Sequence, residues 1–325
     1  MPLPSSGQIS FSQLAAELGN ACSNVSLRSY SACANLTSPD GITELYGKSC
    51  IPTYGAGTWS SGGAMITARF SLAGAGTQNA GLAVGGTTGT DVSSTEEYNG
   101  TSWSAGGGLI VARRFVAGAG TQNEGLAFGG FSNANLSCTE EYNGTSWSTG
   151  GALATARYGL LAGAGTQNAG LVAGGGGCLS NTEEYNGTSW SAGGGLIVGR
   201  GCLAGAGTQN AGLAFGGFSN ENLSCTEEYN GTSWSTGGAL INARRVLAGA
   251  GTQNEGLATG GFPRTSSTEE YNGTSWSSGG ALITARNNLA GAGTQNAGLA
   301  FGGFSGVYSS CTEEYTKSVI SICLG

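Results

Sequence analysis

The chain has 325 residues and a formal net charge of −7, with only 10% charged residues, 63 glycines and no histidine. Hydrophobic residues make up 39% and the Trp and Tyr are evenly spread, which excludes a disordered chain, and the glycines follow no G-X-Y period, which excludes a collagen-like one. Without basic clusters, neither nucleic acid nor an anionic membrane is expected as a partner. Without His or a CxxC pair, no metal site and no cofactor are expected.

Residues 1–52 stand apart from the rest of the chain. The stretch 6–19 reads as a short helix: Ser10 is suited to cap it, Phe11, Leu14, Ala15 and Leu18 share one face, and Gly19 stops it. Residues 25–30 and 41–47 read as two further short elements. Met1–Gln8 has no basic start and no apolar core, so no secretion signal is expected and synthesis is placed in a cytoplasm. No apolar run approaches the ~18 residues of a membrane span, so no membrane insertion is expected.

From about residue 53 the chain is repetitive. Trp occurs only at Trp59, Trp103, Trp147, Trp190, Trp234 and Trp276, in steps of 44, 44, 43, 44 and 42. Glu-Glu-Tyr ends at Tyr98, Tyr142, Tyr185, Tyr229, Tyr271 and Tyr315. An arginine precedes each Gly-Ala-Gly-Thr-Gln-Asn segment: Arg69, Arg113, Arg157, Arg200, Arg244 and Arg286. In the unit 116–153, strands are expected at 116–121, 126–128, 138–142 and 145–148. Gln122–Gly125 forms a tight turn with Gly125 supplying positive φ, and Asn143-Gly144 gives a two-residue type I′ hairpin. Four short antiparallel strands per repeat, six times over, describe an all-β, six-bladed β-propeller.

Tryptophans and Glu-Glu-Tyr motifs are out of phase at the ends. Trp59 precedes the first full repeat, and Tyr315 has no Trp after it. The segment around Trp59 is therefore expected to complete the last blade, so that no sheet edge is left open. The chain then divides into a small, partly helical N-terminal module (1–52), the propeller (53–316) and a C-terminal strand or tail (317–325). Each Trp is expected to wedge between blades, and each Arg to form a buried, two-pronged pair with a Glu of Glu-Glu-Tyr. The Ala/Gly alternation of the first strand is expected to let six strands meet at the axis. Cys138, Cys225 and Cys311 read as small buried thiols, and a Cys50–Cys323 disulfide joining the two ends is one open alternative.

A Gly-Gly doublet, Glu-x-Tyr, a Trp five residues after the Tyr and then an Arg together resemble the kelch repeat. The resemblance covers roughly residues 54–316. It departs in the third unit, where Gly174–Gly177 replaces the doublet, and in repeat length. The string 7–19 followed by 25–30 resembles a short module at the N-terminus of tailed-phage structural proteins. The cysteines and the Ser-Ala-Cys-Ala-Asn stretch depart from that pattern. This second resemblance implies attachment to other virion proteins through residues 1–50, a virion location, and synthesis in the host cytoplasm.

Among the copies the variation concentrates in two segments, the loop between the second and third strands and the link after the Arg. In a four-stranded meander both map to one face. Candidate binding residues on that face are Phe115, Phe131, Tyr158, Phe218, Phe262, Phe304 and Tyr308, with Arg114, Arg245 and Arg264. Copper-oxidase propellers need His, sialidase propellers carry Ser-x-Asp-x-Gly-x-x-Trp boxes, and neighbouring glutamates on a strand point to opposite faces. No catalytic residue and no enzymatic activity are expected. The leading expectation is a phage tail fibre, spike or appendage protein that shows its variable face to a host-surface glycan or protein. A structural virion decoration or adaptor protein and a cellular kelch-type adaptor are the alternatives, and a homo-oligomer is left open.

Overall fold

The computed structural model describes residues 49–55, 57–159 and 162–324. Every regular element among them is a β-strand. The elements expected at 6–19, 25–30 and 41–47 lie outside the described residues. Thr58–Thr316 forms one compact unit, and the described residues 49–57 and 317–324 belong to another. In that second unit Ser49–Tyr54 pairs antiparallel with Val319–Leu324.

Thr58–Thr316 is a six-bladed β-propeller of six four-stranded antiparallel sheets. Blade 1 contains Ala73–Thr77, Ala80–Val84, Thr95–Tyr98 and Trp103–Ala105, from the axis outward. The following blades repeat this pattern, with inner strands beginning at Ala117, Ala162, Ala204, Ala248 and Ala290. Blade 6 takes its outer strand, Thr58–Ser61, from before the first full repeat, and Trp59 stands opposite Tyr315.

The inner strands need glycine because they nearly touch. A Cβ on Gly74 would lie 2.4 Å from the Gly291 carbonyl oxygen of blade 6, and one on Gly118 would lie 2.8 Å from that of Gly74. Both gaps are shorter than any van der Waals contact, so the Ala-Gly alternation is set by backbone packing.

Two turns differ from the sequence reading. The positive φ of the first turn belongs to Gly120 (91°), the residue before Thr121, and not to Gly125. The Asn-Gly turn is a four-residue loop, Asn143–Ser146, because Tyr142 pairs with Trp147. The Asn143 Oδ1 atom accepts the N–H groups of Thr145 and Ser146, at 3.0 and 2.9 Å. The side chain thus replaces the Asn143 carbonyl as acceptor for the Ser146 N–H, while the Asn143 N–H still donates to Ser146 O at 3.2 Å.

Three rings of hydrogen bonds join each blade to the one before it. Each Trp Nε1–H donates to the Thr that begins the third strand of the preceding blade, as in Trp147 to Thr95 (2.9 Å) and, across the closure, Trp103 to Thr312 (2.9 Å). Each Gln of the first turn donates to two carbonyls of the preceding blade; Gln122 Nε2 reaches Gly81 O and Tyr98 O at 3.0 and 2.7 Å. Each repeat Tyr hydroxyl donates to the second Glu of the preceding blade, as in Tyr142 to Glu97 and Tyr98 to Glu314 (both 2.6 Å). Burial, then that hydrogen bond, pushes the Tyr98 and Tyr142 phenols up to about 12.

Candidate functional site

The first Glu of each Glu-Glu-Tyr is buried and holds the link leading into its own blade. Glu96 Oε2 accepts the Ile66 N–H (2.7 Å), and Oε1 accepts the Thr67 N–H (3.2 Å) and lies 2.9 Å from the Arg69 guanidinium. All six repeat arginines form such pairs, with Glu96, Glu140, Glu183, Glu227, Glu269 and Glu313. The expected two-pronged geometry is replaced by a divided one. Arg200 Nη1 meets Glu227 Oε1 at 2.6 Å while Nη2 donates to Ala214 O (3.2 Å), and Arg286 divides its groups in the same way. Carboxylate oxygens already used by two amides leave less room for a fork. Burial pushes the guanidinium pKa of Arg69, Arg157, Arg244 and Arg286 down from its ordinary value, against the pull of the paired Glu.

Both glutamates of each motif are thus used by the scaffold, one for the link and one for the next blade's Tyr. The clamped link carries a residue with positive φ in each blade: Ser71, Phe115, Gly159, Cys202, Val246 and Asn288. Backbone hydrogen bonds run between these residues from blade to blade. Phe115 N–H donates to Ser71 O, Ser71 to Asn288, Asn288 to Val246, Val246 to Cys202 and Cys202 to Gly159, all at 2.7–2.9 Å. Left-handed conformations at non-glycine residues cost on the order of 1–3 kcal/mol each and persist where the surroundings over-determine them. The residue just before bridges to the loop between the second and third strands, as in Phe70 to Thr87, Arg114 to Phe131, Arg245 to Phe262 and Asn287 to Phe304. The two variable segments of a blade therefore lie side by side on one face.

On that face most of the candidate residues fall into three clusters, the first spanning three blades and the other two spanning two blades each. In the first, the Arg114 guanidinium lies 4.8 Å from the Phe131 ring centre and 2.7 Å from Asp91, and Tyr158 packs on Phe131 and Phe115 at 5.7 and 6.2 Å. In the second, Arg245 sits between Phe218 (4.5 Å) and Phe262 (4.7 Å). In the third, Tyr308 and Phe304 pack against Phe70, at 5.2 and 6.0 Å. Phe262 and Tyr308 are the most open of the aromatic candidates, at 42% and 41% exposure. Arg264 is exposed and stands outside these clusters, in a shallow pocket with Asn242, Pro263 and Thr265. Hairpins Phe131–Asn135 and Phe218–Asn222 raise two of the loops, turning at Asn133 and Asn220 with φ of 63° and 67°.

Phe70 and Asp91 are absent from the candidates drawn from sequence. Phe70 had a usable signal, since it occupies the same link position as Arg114, Tyr158 and Arg245. Asp91 had none, because its partner lies in the next blade.

The cysteines differ from expectation. Cys138 and Cys225 are half-buried and Cys311 is exposed, and all three are free. They end the variable loop rather than entering the sheet, so only one side of each is covered. Burial raises the Cys138 and Cys225 thiols, while the facing Arg113 and Arg200 pull them down. Among the described residues no group of acidic or Cys side chains is arranged to hold a metal ion.

No family model and no curated protein matches the chain. The likeness to kelch repeats and to a phage module rests on the motifs themselves.

Proposed function

We propose that this chain is a non-catalytic binding protein of a tailed-phage virion, displaying the variable propeller face to a glycan or protein on the host surface. The observation that carries the reading is the division of the repeat. The turns of one face are nearly the same in every copy, whereas the loops and links of the other differ from blade to blade. Rigid aromatic groups with guanidinium neighbours suit a recognition surface, because they add contact area at low cost in side-chain entropy. The clamped links hold these groups in place before any ligand arrives. The virion assignment, with residues 1–50 as the attachment segment, rests on the N-terminal resemblance, and the kelch-like assignment on repeat spacing.

A second reading, a decoration or adaptor protein that binds other virion subunits, is favoured by one observation. Ile66, Ile110, Ile197, Ile241 and Ile283 occupy the same link position and are 54–60% exposed. A repeated apolar group suits a protein partner better than a sugar.

Labelled protein applied to a panel of bacterial surface glycans and whole cells separates the two. Wild type is expected to bind, and a Phe131→Ala/Tyr158→Ala/Phe218→Ala variant to lose at least tenfold in affinity with its fold intact. Wild type that ignores every cell and glycan while binding virion subunits would transfer the assignment to the second reading.

A further inference from the structure

We infer that Cys50 and Cys323 form a disulfide that covalently closes the chain around all six blades. The inference is independent of what the propeller binds. In the pairing of Ser49–Tyr54 with Val319–Leu324, Cys50 stands directly opposite Cys323. The phase of this ladder follows from one bond: Gly55 N–H donates to Ser318 O at 3.0 Å, and Gly55–Ser318 is the rung after Tyr54–Val319. Rungs of an antiparallel pair alternate between hydrogen-bonded and non-hydrogen-bonded. Gly55–Ser318 is of the first kind, so Thr53–Ile320 and Ile51–Ile322 are as well. Tyr54–Val319, Pro52–Ser321 and Cys50–Cys323 are then of the second kind. Pro52 supports the phase independently, because a residue without an N–H fits a rung that needs none.

Non-hydrogen-bonded rungs bring opposed Cα atoms to about 4.5 Å, closer than the other kind. Disulfides span Cα separations of about 4.4–6.8 Å, so the rung accepts one without backbone movement. The Cys50 thiolate attacks a small-molecule disulfide such as oxidised glutathione, forming a mixed disulfide and expelling one thiolate. The Cys323 thiolate then attacks the Cys50 sulfur and expels the second. Two protons pass from the cysteines to the two released thiols, and two electrons leave the protein for the oxidant.

The position gives the link its consequence. Ser49–Tyr54 runs into Thr58–Ser61, and Thr312–Thr316 runs into Val319–Leu324, each through a short connection. Thr58–Ser61 and Thr312–Thr316 are the two strands that close the ring. Joining Cys50 to Cys323 ties both closing strands at their outer ends, so neither can leave the ring as a free chain end.

The test is peptide mapping of the full chain after incubation with oxidised glutathione and alkylation of the remaining thiols. A cross-linked Cys50–Cys323 peptide is expected, together with faster migration on a non-reducing gel and a thermal midpoint several degrees above that of the reduced protein. Both differences are expected to vanish in Cys50→Ser and in Cys323→Ser. Recovery of Cys50 and Cys323 as alkylated thiols, or of either one joined to Cys22 or Cys33, overturns the inference. Because reduced and oxidised wild type are compared directly, the result stands even if a serine variant folds poorly.

Discussion

Replacing Arg200 with Met is expected to destabilise the propeller by about 3–5 kcal/mol, read as a fall in the denaturation midpoint. Arg200 is fully buried and Glu227 is 2% exposed, so removing the guanidinium leaves a carboxylate in the interior with no counter-charge. The Ile197 and Val198 amides still hold that carboxylate, at 2.7 and 3.2 Å, which limits its freedom to turn toward water. The Ala214 carbonyl loses its donor as well. A loss of this size is a large share of the roughly 5–15 kcal/mol that holds a typical domain folded. Neutralising the partner too, in Arg200→Met/Glu227→Gln, is expected to recover part of the loss, because much of it comes from the stranded charge. A single-variant change below about 1 kcal/mol would show that the ion pair is not a structural centre of the blade.

Trp59→Ala should cost a similar amount, about 3–5 kcal/mol, through a cavity and a lost hydrogen bond. Trp59 is 8% exposed, its ring lies 4.9 Å from that of Tyr315, and its Nε1–H donates to Thr268 Oγ1 at 2.9 Å. It packs with Ala248, Ala250 and Leu257 of blade 5 as well as Ala300 and Tyr315 of blade 6. Unlike the other five tryptophans, it stands on a strand joined to its blade only by pairing. Its loss therefore weakens a blade interface and the ring closure together. The midpoint is expected to fall at least as far as in Trp147→Ala, whose residue makes the matching bond to Thr95. If Trp59→Ala were far milder than Trp147→Ala, the closing strand would contribute little to the fold.

Much of this architecture could be read from the chain, because a propeller writes its geometry as periodicity. The phase offset between Trp59 and Tyr315 was enough to place the closing strand. Pairing of each Arg with a Glu followed from their recurring together among few other charges. Its detailed geometry did not, because the amides of Ile197 and Val198 and the carbonyl of Ala214 compete for the same groups, and such backbone partners leave no mark in composition. The bond from Tyr142 to Glu97 was hidden for a similar reason: the two residues belong to adjacent blades. On the variable face, sequence comparison among the repeats picked out the loops and links that lie side by side but not the clusters. Phe70 joins Phe304 and Tyr308 only because the ring brings the last blade against the first. Asn143 shows the opposite limit, since a strong hairpin dipeptide was overruled by its own side chain.

The most direct test of the functional account is to compare variants of the two propeller faces for binding to host-cell surfaces. One variant carries Phe262→Ala, Tyr308→Ala and Arg245→Ala on the variable face. The other carries Thr145→Lys, Thr188→Lys and Thr232→Lys, all exposed positions in the uniform turns of the opposite face. Loss of binding confined to the first variant, with both retaining wild-type thermal midpoints, is the result expected. Loss confined to the second, or binding untouched in both, would contradict the assignment of the variable face as the recognition surface.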